Sequence, residues 1–335
     1  MKYILYILVT ATVTLLIGCA PATKGVTDTE AEWIDLSKRD KPSSINQNPW
    51  HEVVINVAQF EDLTPFFQEI AGFEILDQKP DELLLGAPGA ESSFIRLKRI
   101  GDAPPARPAS SRAWDKGCYF SLMMRAKNLP SIIKDAALIG WVPLTDLAYL
   151  EFGASKLHIV VLTHKSGMRV QLYERLNRSI PEGFTPFERI SRPFNIMQMV
   201  EDRDVGYDFF QQKLGFDTHF YGPPYTSETE EVMPLGIPLK LTTSIPYLTG
   251  IMTPKSGNIY GRMEMIDIEG MKDGVNYADR CDYKHTGIIA VRFKVEKLEA
   301  VRKNLRARRV NIIGGDTKSL SIKTPDGANI EFYKK

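Results

Sequence analysis

The sequence has 335 residues and a formal net charge of +1, from 42 lysines and arginines against 41 aspartates and glutamates. That near balance argues against a broad nucleic-acid-binding surface, so no nucleic-acid partner is expected. The length is sufficient for one large domain or two ordinary ones. Three cysteines and five histidines occur without a CxxC motif or a Cys/His cluster, so neither a zinc centre nor a dithiol redox centre is indicated.

The first 18 residues have the features of a secretory signal. Lys2 is followed by an apolar run over residues 3–17, which is shorter than the ~20 residues that a membrane-spanning helix needs. The run ends in Leu16-Ile17-Gly18-Cys19, which resembles the lipobox of bacterial lipoproteins. The resemblance implies that Cys19 is lipidated and anchors the chain, and Ala20 after it favours the outer membrane, facing the periplasm. An ordinary signal peptide with an incidental cysteine is the alternative.

Residues 19–49 separate this signal from the rest of the chain. They are rich in threonine, serine, aspartate, lysine and proline and have no sustained apolar period. Such a composition cannot bury a core, so we expect a flexible tether between a membrane anchor and a globular body.

The same order of elements is repeated four times along residues 50–335. The apolar spacing predicts a strand, a helix and then further strands in each unit. The predicted segments are strand 52–59, helix 61–71 and strands 82–86 and 93–100 in the first unit; strand 119–125, helix 129–139 and a last strand ending at residue 173 in the second; strand 195–200, helix 204–214 and strands 248–252 and 261–268 in the third; and strand 288–294, helix 295–307 and a last strand containing Glu331 in the fourth. The third unit also holds a proline-rich insertion at residues 221–244.

Two sequence features support duplication of one ancestral unit. A glycine followed by an aromatic residue ends three of the helices, at Gly72-Phe73, Gly140-Trp141 and Gly215-Phe216. Glycine can adopt the left-handed conformation that ends a helix, and the aromatic side chain can then pack under it. A turn followed by an alternating strand also recurs, at residues 165–174 and 324–333.

On these residues, and most closely over 195–216 and 324–333, the chain resembles the vicinal oxygen chelate (VOC) superfamily, which includes glyoxalase I, bleomycin-resistance proteins and extradiol dioxygenases. The resemblance implies an α+β fold with two tandem domains, 50–176 and 191–335, joined by a linker at 177–190. In each domain two βαβββ units would form a cup-shaped sheet with the helices outside. The family usually holds a divalent metal at the bottom of the cup, with ligands from the first and last strands of the paired units.

In the first predicted domain, the family's ligand positions fall on Glu52 and Ser121 in the opening strands and on Arg96 and Gln171 in the closing strands. A guanidinium stays protonated and cannot ligate a metal. We therefore expect ligand binding without a metal in this domain, where Arg96 could hold an anionic group.

In the second predicted domain, the same positions fall on Asn195, Ala290, Glu264 and Glu331. Two carboxylates and an amide suit a hard divalent cation, so a metal cofactor is considered in this domain alone. Alternatively, the two glutamates divide the roles of general acid and general base. Either role requires both side chains to face one cavity, at a predicted separation of about 10 Å or less, with Asn195 on its wall.

Two functions remain open from the sequence. One is a lipid-anchored glyoxalase-like enzyme, a lyase, isomerase or dioxygenase acting on a small molecule in the C-terminal cup, which the glutamate pair and the insertion favour. The other is a non-catalytic lipoprotein that binds a small molecule or acts as a scaffold, which the missing histidine ligands favour. Cys118 and Cys281 are expected as two free thiols, with a disulfide as the alternative in an oxidising compartment.

Overall fold

The computed structural model describes residues 34–152, 154–271 and 273–334. The predicted signal peptide, the lipidation site Cys19 and the tether as far as residue 33 lie outside the described residues. Among the residues that are described, none forms a helix that is both long and apolar enough to cross a membrane.

Residues 35–335 form one compact unit that is dominated by strands. The strands are β1 (Glu52–Val57), β2 (Glu74–Lys79), β3 (Glu82–Gly86), β4 (Phe94–Arg99), β5 (Tyr119–Arg125), β6 (Trp141–Pro143), β7 (Ala148–Phe152), β8 (Ser155–His164), β9 (Arg169–Arg175), β10 (Asn195–Met199), β11 (Asp217–Tyr221), β12 (Tyr247–Thr253), β13 (Arg262–Ile268), β14 (Gly287–Val295), β15 (Ile312–Gly315), β16 (Ser319–Lys323) and β17 (Asn329–Lys334). The α-helices are α1 (Leu129–Leu138), α2 (Arg203–Asp208) and α3 (Leu298–Ala307). Two π-helical segments, Phe66–Ile70 and Phe209–Leu214, complete the helical layer. Short 3₁₀ turns occupy Leu36–Lys38, Phe60–Asp62, Leu239–Leu241 and Ala278–Arg280.

The described strands form two large sheets, which confirms the α+β fold class with four βαβββ-like units. One sheet has the order β15-β16-β17-β14-β1-β4-β3-β2, and the other has the order β11-β12-β13-β10-β5-β9-β8-β6, with β7 paired to β8. The first sheet therefore combines the first and fourth units, and the second sheet combines the second and third. The expected pairing of consecutive units, with domains 50–176 and 191–335, is wrong.

The reason for this pairing lies in the opening strands. Within each unit the opening strand pairs in parallel with the closing strand, as β1 does with β4 and β14 with β17. Its other edge then needs a partner, since an unpaired edge leaves backbone groups unsatisfied. The free edge of β1 pairs with β14, and the free edge of β10 pairs with β5, and both pairs are antiparallel. Each of these junctions contains one β-bulge.

One face of each sheet is apolar and packs beneath the helices. Strand alternation directs Ile330 and Phe332 of β17, and Val170 and Leu172 of β9, into one buried cluster, as their spacing predicts. Phe66 and other side chains of the helical layer belong to the same cluster. The polar residues of the strands are therefore left on the opposite faces, where the two cups lie.

Gly215 ends the helical segment of the third unit, Phe209–Leu214, as predicted. Its φ of 73° is in the left-handed region, and a Cβ atom there would lie 2.4 Å from the carbonyl oxygen of Ser43. Glycine is needed both for the turn and for this close approach.

The close approach arises because residues 35–49 pack on the third unit. Lys41 donates to the Gly215 carbonyl at 2.9 Å and forms an ion pair with Asp217 at 2.8 Å. Ile45 is buried, and its amide donates to the Leu214 carbonyl. The prediction of a flexible tether is therefore wrong for residues 35–49, because specific hydrogen bonds hold a segment that has no apolar period.

Cys118 and Cys281 form a disulfide, with their Cα atoms 5.3 Å apart. The expectation of two free thiols is therefore wrong. The bond joins the start of the second unit to the approach of the fourth, across 163 residues of sequence. Disulfides of this kind are typical of oxidising compartments.

Candidate functional site

The first cup is the polar face of the sheet of units one and four, and four charged residues lie at its centre: Glu52, Arg96, Arg292 and Glu331. Register places Arg292 opposite Glu52 on one side and Glu331 on the other. Arg96 lies on β4, which pairs with β1 on its other edge. Ala290, the opening-strand position assigned from the sequence, pairs with Val54, and Arg292 follows it by two residues on the same strand face. Ala290 stands to Glu331 as Glu52 stands to Arg96, since each lies two residues before the partner of that closing-strand residue.

Ion pairs connect these four side chains. Arg96 donates to both oxygens of Glu52, at 2.9 and 2.8 Å, and Arg292 also donates to Glu52. Arg292 forms a second ion pair with Glu331 at 3.1 Å, and the Tyr283 hydroxyl donates to Glu331 at 2.5 Å. Two carboxylates and two guanidinium groups thus neutralise one another.

The Glu52 side chain has no exposed surface. Burial acts to raise the pKa of its carboxyl group, but the hydrogen bond from Arg96 and the charges of Arg292 and Arg96 outweigh burial, and the pKa is lowered. A divalent cation does not fit this cup, because both oxygens of the buried carboxylate already accept from guanidinium groups and two fixed cations adjoin them.

The second cup is the polar face of the sheet of units two and three. Register places Asn195 opposite Met123, Met123 beside Gln171, and Glu264 on the strand next to Asn195. These four residues occupy the positions that Glu52, Arg292, Glu331 and Arg96 occupy in the first cup. Ser121, predicted as the opening-strand residue, lies two residues before Met123 on the same strand, and it stands to Gln171 as Asn195 stands to Glu264.

Glu264 and Glu331 lie in different sheets, on β13 and β17. The predicted site in which both carboxylates face one cavity is therefore not formed, because the units pair differently from the expectation. Asn195 lies beside Glu264, since the Asn195 amide donates to Glu264 Oε2 at 2.5 Å. Gln171 and Ser121 belong with Glu264 rather than with Glu52 and Arg96.

Glu264 has an environment opposite to that of Glu52. Its side chain is 8% exposed, and burial raises the pKa of its carboxyl group to about 7, against the opposing effects of the Asn195 hydrogen bond and the charge of Arg262. Near neutral pH this carboxyl group can therefore either donate or accept a proton. Such a shift in a cup is the property expected of a general acid or base.

Three buried oxygen atoms on the polar face of this sheet have no hydrogen-bond partner within the described residues. Asn195 Oδ1, Gln171 Oε1 and Ser121 Oγ are buried without a hydrogen-bond partner among the described atoms. The Gln171 amide donates to the Tyr173 hydroxyl at 2.7 Å. Since buried acceptors without donors are costly, these atoms indicate a ligand that supplies hydroxyl or amino donors.

A resident metal ion fits the second cup less well. The described residues contain no group of three or more histidine, cysteine, aspartate or glutamate side chains that could hold a metal ion. One carboxylate that is half protonated near pH 7 and two neutral amides offer little charge to a divalent cation. The nearby guanidinium of Arg262 opposes a cation further.

Apolar segments cover the second cup. Met233, Leu235 and Ile237 of the predicted insertion pack in one buried cluster with Met197 and Ile266 of the cup. From the other side, Phe184 of the predicted linker lies 5.8 Å from Phe194 and 5.3 Å from Tyr260, measured between ring centroids. The insertion and the linker thus exclude water from the surroundings of Glu264, which is the physical cause of its raised pKa.

Several residues of the two cups are not identified from the sequence. Met123 and Arg292 follow from the antiparallel pairing of the opening strands, and strand alternation already places them on the same face as the predicted Ser121 and Ala290. Arg262 precedes Glu264 by two residues, so the same alternation could have identified it. Tyr173 is likewise two residues after Gln171.

Comparison with solved structures gives the fold of the chain. It superimposes on glyoxalase I from Zea mays with a TM-score of 0.56 and 12% identity, covering 85% of this chain and 92% of that one. It superimposes on a putative dioxygenase from Bacillus subtilis with a TM-score of 0.53 and 11% identity, covering 88% and 86%. No protein-family model matches the sequence, and no curated protein sequence matches it either. The chain therefore has the VOC fold, the fold that it shares with these two proteins.

Proposed function

We propose that this protein binds a small molecule in the second cup and that Glu264 exchanges a proton with it. The observation that carries the proposal is the buried carboxyl group of Glu264, whose pKa is raised to about 7 and which is held by Asn195 at 2.5 Å. The VOC fold supports the proposal, since a likeness to glyoxalase I and a putative dioxygenase fits a protein that acts on small molecules. Fold alone does not fix the chemistry.

The proposed reaction is proton transfer next to a carbonyl group, of the lyase or isomerase type. Ionised Glu264 takes the proton of the carbon beside the carbonyl, and the electrons of that C–H bond form an enolate. The protonated carboxyl group then returns the proton to a neighbouring atom of the same molecule, which balances the reaction. Asn195 fixes one carboxyl oxygen, and the apolar cover keeps water from exchanging with the intermediate.

Solvent deuterium exchange tests this proposal over several classes of carbonyl compound at once. We suggest incubating the full chain, purified in detergent, with 2-oxoaldehydes, their thiol adducts and hydroxyketones in D₂O, and following deuterium incorporation by NMR. We expect incorporation with the wild type and a loss of at least about a hundredfold with Glu264→Gln, the lower end of general-base contributions. Glu331→Gln, a matched change on a closing strand of the first cup, should retain the exchange. Exchange that survives Glu264→Gln would overturn the proposal.

A second candidate function is binding without catalysis. The observation that favours it is the first cup, where ion pairs occupy the positions at which this fold usually carries its chemistry. Under this alternative the second cup binds its ligand, but no compound exchanges deuterium. Saturable binding without exchange would therefore select this function over the first.

We also propose that Cys19 carries a lipid that anchors the protein in the cell envelope, facing the periplasm from the outer membrane. The lipobox-like sequence before Cys19 and the disulfide of Cys118 and Cys281 support it, since structural disulfides are characteristic of such oxidising compartments. Cys19→Ser should release the protein from membranes or leave its precursor unprocessed. Mass spectrometry that finds an unmodified mature N-terminus at another residue would contradict this proposal.

A further inference from the structure

Arg125 lies at one end of the second cup and is held in place by aromatic rings. Its guanidinium carbon is 4.8 Å from the ring centroid of Phe194, 5.5 Å from that of Tyr173 and 5.9 Å from that of Phe184. The three rings come from three different segments, so they restrict the side chain from several sides. An arginine fixed in this way loses little conformational entropy when it binds a ligand.

Arg262 lies beside the same end of the cup. Register pairs it with Asn195, and Glu264 follows it by two residues on the same face of β13. Its Nε atom, like that of Arg125, is buried without a hydrogen-bond partner among the described atoms. Burial lowers the pKa of both guanidinium groups, that of Arg125 to about 10.

Neither guanidinium group has a carboxylate partner within the described part of the chain. Their guanidinium atoms take part in none of its salt bridges or hydrogen bonds. The hydrogen bonds to side chains that these two residues do make run through backbone atoms, the Arg125 amide to Ser191 Oγ and the Arg262 carbonyl from Trp50. The charges that act on Arg125 include two further cations, Arg175 and Arg262, and Glu264 is the carboxylate that acts on Arg262. Arg175 donates to Ser155 Oγ at 3.1 Å and to the Ser179 carbonyl at 3.0 Å, which does not neutralise it.

In the first cup, the charges of partly buried arginines are balanced by a carboxylate. There Arg96 and Arg292 share the carboxylate of Glu52. Desolvating a charge is costly unless an opposite charge adjoins it, so the two guanidinium groups of the second cup lack a counterion that the first cup contains. An anionic ligand would supply that counterion.

We propose that Arg125 and Arg262 together bind the carboxylate or phosphate group of the small molecule that enters the second cup. This inference rests on the proposed function and deepens it by naming the chemical class of the ligand. Planar guanidinium groups bind both anions through paired hydrogen bonds. The unsatisfied oxygens of Asn195 and Gln171 then face the rest of the molecule and accept from its donors. The class is therefore an organic acid or phosphate monoester that also carries hydroxyl or amino groups.

Anion titration tests the site directly. Inorganic phosphate and lactate are titrated into the full chain in detergent at low ionic strength, with binding measured by calorimetry and by the ¹⁵N shifts of the arginine Nε atoms. We expect saturable binding of at least one probe, weakened at least about tenfold by Arg125→Gln or Arg262→Gln, the loss expected for one hydrogen bond to a charged group. Arg125→Lys, which keeps the positive charge but not the planar guanidinium group, should weaken anion binding less. Arg99→Gln, on an exposed strand end of the other sheet, is the matched control and should bind as the wild type.

Two outcomes would overturn the anion site. One is the absence of saturable binding and of any arginine Nε shift in the wild type, a result that does not depend on whether a variant folds. The other is unchanged affinity in both glutamine variants. These outcomes differ from a failure of the proposed function. If Glu264→Gln abolishes deuterium exchange while both glutamine variants bind normally, the anion site is wrong and the function stands. If the variants lose the anion while exchange survives Glu264→Gln, the site stands and the proton-transfer function is wrong.

Discussion

Replacing Glu264 with glutamine should stabilise the protein at alkaline pH and leave its stability almost unchanged at acidic pH. Glutamine has the shape of a protonated glutamate but cannot ionise. In the native state burial raises the pKa of Glu264 to about 7 from its ordinary value of 4.5. As the pH rises, the unfolded chain therefore loses this proton before the native chain does, and ionisation favours unfolding.

The magnitude follows from the pKa difference. The difference is 7 minus 4.5, about 2.5 units, and each unit corresponds to about 1.4 kcal/mol, so the wild type should lose about 3 kcal/mol. The loss develops between about pH 4.5 and pH 7 and is complete above that range. Because the side chain is only 8% exposed, solvent screening reduces the figure little. Burial also raises the pKa of Asp267 and Asp326 to about 6, but they contribute equally to wild type and variant and cancel in the difference.

Urea unfolding at a series of pH values from 4 to 9, followed by circular dichroism with the disulfide intact, measures this difference. The free energy of unfolding of Glu264→Gln minus that of the wild type should rise with pH through the stated window and then level off. Gln171→Glu would place a second carboxyl group in the cup, and we expect it to steepen the pH dependence. A difference between Glu264→Gln and the wild type that does not change with pH would refute the account of a buried, protonatable Glu264.

Three further predictions concern the scaffold. Removing the disulfide by changing both Cys118 and Cys281 to serine should lower the free energy of unfolding by about 5 kcal/mol, the loop-entropy value for a closed loop of 163 residues; equal denaturation midpoints with and without the bond would contradict it. Glu52→Gln should cost about 3–5 kcal/mol in urea unfolding, because two guanidinium groups of the first cup lose their shared counterion, and a cost near zero would show that the network is solvated. Gly215→Ala should lower the melting temperature and increase proteolysis of residues 35–49, since its Cβ would meet the Ser43 carbonyl at 2.4 Å, whereas an unchanged cleavage pattern would show that this segment docks independently of the turn.

Much of the local structure follows from the sequence. The alternation at Ile330 and Phe332 predicts a half-buried strand, and both residues are buried in β17. The glycine-aromatic pair at Gly215 predicts a helix end in the left-handed conformation, which the structure contains. Such features depend on neighbours within a few residues, so the local pattern of apolar and turn residues is sufficient to specify them.

The register and the partners of the strands do not follow in the same way. Met123 and Arg292 lie two residues after Ser121 and Ala290 on the same strand faces, so alternation alone does not show that Met123 lies opposite Asn195 and Arg292 opposite Glu52. A bulge between β1 and β14, and another between β10 and β5, shifts the pairing further. Residues 35–49 have no apolar period in their sequence, and their docking depends on hydrogen bonds to a unit that is distant along the chain.

The sequence by itself determined the four repeated units, the α+β fold and the polar residues that line the cups, because periodicity and turn chemistry are local properties. Only the tertiary structure decided which units share a sheet. The opening strand of each unit offers the same free edge to any other opening strand, so the sequence pattern is compatible with more than one pairing. The observed pairing of the first unit with the fourth places Glu331 in an ion-pair network with Glu52 and leaves Glu264 with Asn195 in a separate, desolvated cup. The opposite pKa shifts of Glu52 and Glu264 are therefore consequences of strand pairing.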